Sequence, residues 1–164
     1  MHTVEKIIIP LITFAFGSLI TIFVQRKKLK LEQQDVYEKM MRNIENLASD
    51  YIIACLEYLK SNIDDKFDYL TKMDIAANKY FIELALLCDR FNEGLLNKKT
   101  NKITLSRKIE SIVSGKIIEQ HYEMMENQTG NKGQYLFNEN DHRTIYNAYN
   151  EFKKYYDSCK KSKL

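Results

Sequence analysis

Three histidines, His2, His121 and His142, hold most of the acid–base capacity of this 164-residue chain near neutral pH. His121 closes the hexapeptide Lys116-Ile117-Ile118-Glu119-Gln120-His121. A cation, Lys116, thus stands five residues ahead of an imidazole on one expected helix. No Gly-rich phosphate loop, nucleophile elbow or H-E-x-x-H motif accompanies it. The cysteines Cys55, Cys88 and Cys159 are widely spaced, with no C-x-x-C pair or Cys–His cluster. They read as buried free thiols in a reducing compartment, and neither a metal nor a cofactor is expected.

The elements that carry these residues read as helices. Pro10 is the single proline, and from Ser18 to Glu93 there is neither proline nor glycine. Strand signals are absent from the sequence. A first helix has apolar positions at Val36, Met40, Ile44, Leu47, Tyr51, Cys55, Leu56 and Leu59, mostly three or four apart. Ser61-Asn62 and Asp64-Asp65 supply cap and turn residues. A second helix carries Phe67, Leu70, Ile75, Tyr80, Phe81, Leu84, Leu87, Cys88 and Phe91 and ends near Gly94. Residues 97–102 read as an exposed basic loop.

A third helix, from Thr104 or Ser106, bears Leu105, Ile109, Ile112, Val113, Ile117, Ile118 and Met125, with Gly115 marking a close crossing or a local break. The stretch 128–133 is a turn. A fourth helix, capped at Asn140 or Asp141, presents Ile145, Ala148, Tyr149, Phe152, Tyr155 and Tyr156 inward. The expected fold class is therefore all-α. It comprises one transmembrane segment, residues 1–25, and one cytoplasmic bundle of about four helices, residues 26–164.

The transmembrane expectation rests on Ile7–Val24, IIIPLITFAFGSLITIFV, which contains no charged side chain. As a helix it would be ~27 Å long, close to the hydrocarbon thickness of a bilayer. It exceeds a signal-peptide core, and no A-x-A-like cleavage site follows. Arg26, Lys27, Lys28 and Lys30 flank its C-terminal end, against Lys6 at the other. The positive-inside rule then predicts a single pass through a bacterial inner membrane, with the N-terminus outside and the bundle in the cytoplasm.

Thr13, Gly17 and Thr21 recur every four residues on one helix face. Small residues on such a stripe let helix backbones approach closely in lipid, so a homo-oligomer is expected. The formal net charge of +3 is too small for a dedicated nucleic-acid binder. Positive charge is concentrated in the juxtamembrane cluster, which faces anionic headgroups, in residues 97–102, and in the C-terminal tail. The last two could meet RNA, DNA or an acidic protein.

An all-α bundle with R-x4-6-H on a helix is the pattern of the HEPN ribonucleases, and Lys116–His121 is similar to it with Lys in the Arg position. Lys is a point charge without the bidentate fork of Arg. Together with the N-terminal apolar segment, this resembles the small membrane-anchored, divergent-HEPN accessory proteins of type VI-B CRISPR systems. The resemblance covers the whole chain. It implies assembly into a membrane pore that supports an RNA-targeting CRISPR effector against phage, rather than RNA cleavage. Two alternatives stand beside it: a membrane-tethered adaptor that binds a cytoplasmic partner, and a membrane-bound HEPN-type ribonuclease using His121.

Overall fold

The long stretch without glycine or proline folds as expected, into helix interrupted at a single turn. In a computed structural model, the backbone is described for residues 2–96, 98–130 and 133–161, and side chains for 20–96, 103–130 and 133–154. Helix α1 runs unbroken over His2–Lys60, 59 residues or ~88 Å. It is followed by α2 (Lys66–Asn92), α3 (Lys98–Ser114), α4 (Ile117–Thr129), a 3-10 turn at Glu139–His142 and α5 (Arg143–Lys161). The chain is all-α, with no strand among the described residues.

α1 and α2 form a helical hairpin. The chain leaves α1 where Ser61 Oγ donates to the Tyr58 carbonyl at 2.8 Å. It re-enters helix at Asp65, whose carbonyl accepts from the Asp68 and Tyr69 amides. α2 buries Leu70, Met73, Ala77, Tyr80, Phe81, Leu84, Leu87, Cys88 and Phe91, a 3.6-residue stripe. Phe67 and Ile75, expected inside, are exposed. Gly94 at φ 76° stops the helix, its amide donating to the Phe91 carbonyl at 3.1 Å.

The inner face of α1 is rotated from the expected one. Tyr37, Met41, Ile44, Tyr51, Ala54 and Tyr58 are buried, whereas Val36, Leu56 and Leu59 are exposed. Tyrosine decides this rotation, because its ring fills the core while its hydroxyl still finds a partner. Residues 98–102 are not loop but the first turns of α3.

The expected third helix is two helices. At Gly115–Lys116 the chain breaks, with Lys116 left-handed at φ 52°, ψ 34°. The Gly115 amide still donates to the Ser111 carbonyl at 3.2 Å, and Lys116 to Val113 at 3.1 Å. A Cβ on Gly115 would lie 2.5 Å from the Ser111 carbonyl oxygen, so this tight closure requires glycine. α4 ends at Gly130, φ 68°, inside the expected turn. The last helix runs from Arg143, and the expected cap at Asn140 or Asp141 lies two or three residues earlier, at Asn138, whose side chain accepts from the Asn140 amide at 3.0 Å and caps the 3-10 turn that leads into the helix. Tyr155 and Tyr156 lie outside the described side chains.

Among the described residues, no helix is long and apolar enough to cross a membrane. The side chains of the expected span Ile7–Val24 lie outside the described ones up to residue 19, positions Thr13 and Gly17 included.

Candidate functional site

α4 buries Ile118, His121 and Met125, and so carries one polar side chain into an otherwise apolar seam. His121 is 2% exposed. Its ring is met edge-on by Tyr51 of α1 at 5.5 Å between centroids, by Phe81 of α2 at 5.8 Å and by its neighbour Tyr122 at 5.9 Å. Both nitrogens are engaged: Nε2 lies 3.1 Å from Asp74 Oδ1, and Nδ1 lies 3.0 Å from Tyr51 Oη.

Burial lowers the His121 pKa below the ordinary value of 6.5, against the opposing pull of Asp74. The neutral ring has one donor and one acceptor. Nε2–H therefore donates to the Asp74 carboxylate and the Tyr51 hydroxyl donates to Nδ1. The His121–Asp74 contact is a hydrogen bond to a charged acceptor rather than an ion pair. Burial pushes the Tyr51 hydroxyl well above its usual range, so it remains a donor.

A second imidazole also packs against Phe81. His142 packs edge-on to Phe81 at 5.9 Å, lies nearly parallel to Phe137 at 6.1 Å and has Nε2 3.2 Å from Tyr122 Oη. Burial lowers its pKa too, against Asp141 and Glu119, and His121 reinforces the shift. Tyr146 of α5 donates to Glu119 Oε1 at 2.8 Å, tying α5 to α4. Glu119 Oε2 is buried without a hydrogen-bond partner among the described residues.

This cluster is built for packing. Both nitrogens of His121 are already used within the core, so neither is presented to a substrate from solution. Lys116 is exposed at the α3–α4 break, whereas His121 is interior. The two candidate residues for phosphate chemistry thus sit on opposite sides of the solvent boundary. The sequence singled out His121 but missed its partner Asp74, its ring neighbour Tyr122 and the Tyr146–Glu119 hydrogen bond that holds α5 to the same helix. The available signal was the 118–121–125 spacing, which puts the imidazole on the buried stripe.

The buried Cys88 thiol is pushed up to about 12 by its surroundings, and Cys55 is half-buried; Cys159 lies outside the described side chains. No group of three or more metal-ligating side chains occurs among the described residues. A cavity of about 530 Å³ between α2 and α5, lined by Phe91, Phe152 and polar side chains that include Asn92, Asn147, Asn150 and Lys154, contains none of the candidate site residues.

The other candidate region is the start of α1. From Ile20 to Glu32 every side chain is exposed, and the helix joins the bundle at Gln33–Tyr37. This free arm carries Ile20, Phe23, Val24, Leu29 and Leu31 in solvent, with Phe23 at 70%. Arg26, Lys27, Lys28 and Lys30 interleave with them, and Thr21 is exposed on the same arm. Lys28 reaches Glu32 at 3.8 Å, an exposed pair worth little to stability. The chain matches no protein-family model, no curated protein and no solved structure.

Proposed function

We propose that this is an oligomeric, single-pass protein of the bacterial inner membrane that forms a pore or perturbs the bilayer in CRISPR-linked antiphage defence. The supporting observation is the arm: a helix continuous with the bundle carries large apolar side chains and four cations where no part of the bundle covers them. Water does not favour such a surface, and lipid with anionic headgroups does. In this reading Ile7–Val24 crosses the bilayer, Thr13, Gly17 and Thr21 pack copies together, and the cations ring the cytoplasmic mouth. One helix per chain cannot line a channel, so closed cyclic symmetry supplies the copies.

The test is membrane potential in cells expressing the protein. Full-length chain collapses the potential; a chain lacking residues 1–25 does not. A clean monomer in detergent, or depolarisation that survives the deletion, sinks the proposal.

The adaptor reading draws on a different observation. At the far end of the hairpin, Ile52, Leu56, Leu59, Ile63 and Phe67 are exposed, the last three at 74%, 87% and 71%. A protein partner for the bundle would cover such a surface. Residues 31–164 capturing that partner, with the potential unaffected by full-length chain, would favour this reading over the pore.

A further inference from the structure

The two imidazoles close one part of the bundle onto the rest. His121 joins α4 to α1 through Tyr51 and to α2 through Asp74. His142, at the end of the 3-10 turn, joins that turn to α4 through Tyr122 and packs on Phe81 of α2. The segment they close is attached on one side through Gly115–Lys116, where Lys116 occupies the left-handed backbone region that strains a side-chain-bearing residue. Its two parts are joined by a connection that carries Gly130 and Gly133, both at positive φ, and its other end continues into α5. A segment with a strained hinge, a glycine turn and two histidine clasps has the parts of a latch.

We propose that α4 and the Glu139–His142 turn form an acid-released latch, closed over α1 and α2 by neutral His121 and His142 and freed by their protonation. The titratable groups at the rings are Tyr51 from α1, Asp74 from α2, Glu119 and Tyr122 from α4 and Asp141 from the 3-10 turn; behind them Tyr80 of α2 stacks on Tyr51, and Tyr146 of α5 donates to Glu119. Asp74 favours a charged His121, and Asp141 and Glu119 a charged His142; burial of both rings outweighs them. The sign follows. Between the depressed folded values and the ordinary 6.5, the opened state binds more protons than the closed one. Closure is therefore complete at neutral pH and weakens as pH falls through that interval. Protonated His121 also loses its acceptor, so the Tyr51 hydroxyl can no longer donate to Nδ1, and two imidazolium charges then share one aromatic cluster.

Hydrogen–deuterium exchange on the full chain in lipid nanodiscs tests this, at about pH 7.5 and about pH 5.5, with rates corrected for intrinsic exchange. Protection of residues 117–129 and 139–142 falls about tenfold or more at the lower pH while residues 70–91 keep theirs. Replacing both rings, His121→Gln with His142→Gln, removes that response. The proposal is overturned by α4 protection that does not change with pH, by loss spread evenly over all five helices, or by a folded double variant that keeps the full response. Should the double variant not fold, the wild-type pattern alone decides.

Discussion

Around His121, two helices and a ring of aromatic side chains meet a single imidazole, and each of its nitrogens has a partner within 3.1 Å. Along Ile20–Glu32, four cations and six large apolar side chains, Ile22 among them, meet nothing in the bundle. Both regions carry residue types that invite a functional reading, yet they differ in what they still need. The imidazole of His121 is already satisfied, so its polarity is spent on holding α1, α2 and α4 together. The arm remains unsatisfied in water, and its composition describes the environment that would satisfy it. Chemistry-bearing residues at a useful spacing identify a site only when some of their bonding capacity is left over.

The comparison breaks first, if it breaks, at the collar. Replacing Arg26, Lys27, Lys28 and Lys30 together with Gln removes about 1 kcal/mol of attraction to an anionic leaflet per charge, a loss of about a thousandfold in vesicle binding. Vesicles rich in phosphatidylserine measure this, with the thermal midpoint of the bundle expected to stay where it is. A drop smaller than about tenfold would detach the collar from lipid.

His121→Ala should behave in the opposite way. It leaves the Tyr51 hydroxyl without its acceptor and a void in the seam, costing about 3 kcal/mol in urea unfolding. Depolarisation per folded molecule stays unchanged. Full stability with lost activity would reverse the roles assigned to the two regions.

The smallest effects fall at the α3–α4 break and have opposite signs at adjacent residues. Lys116→Gly relieves a left-handed side chain and raises stability by about 1 kcal/mol. Gly115→Ala lowers it, because the new methyl meets the Ser111 carbonyl oxygen at 2.5 Å. Equilibrium unfolding of the pair, measured side by side, checks both signs.

Much of the architecture could be read from residue spacing. The buried stripe of α2 and its stop at Gly94 follow from the 3.6-residue period and a glycine at positive φ. The α1 face was misread because Val36, Leu56 and Leu59 are more apolar than Tyr37, Ala54 and Tyr58, yet the tyrosines are inside. Burial there is decided by what α2 and its neighbours offer the ring and hydroxyl, and such tertiary information is not periodic. The break at Gly115–Lys116 was half legible: glycine signalled it, while the left-handed residue is the lysine that follows. Asp74 gave no signal at all, since a lone carboxylate between apolar neighbours on a helix normally faces water.

The unbroken course of α1 has a geometric consequence. A helix without a hinge conveys direction as well as distance, so the bundle fixes which way every side chain of the arm points around the axis. One residue inserted between Lys30 and Gln33 would turn the whole arm by about 100° and lift it by about 1.5 Å, whereas seven would bring it back to within about 20°. The chain is thus keyed like a shaft, and the bearing of Phe23 around the helix axis is set by how Tyr37 seats in the core.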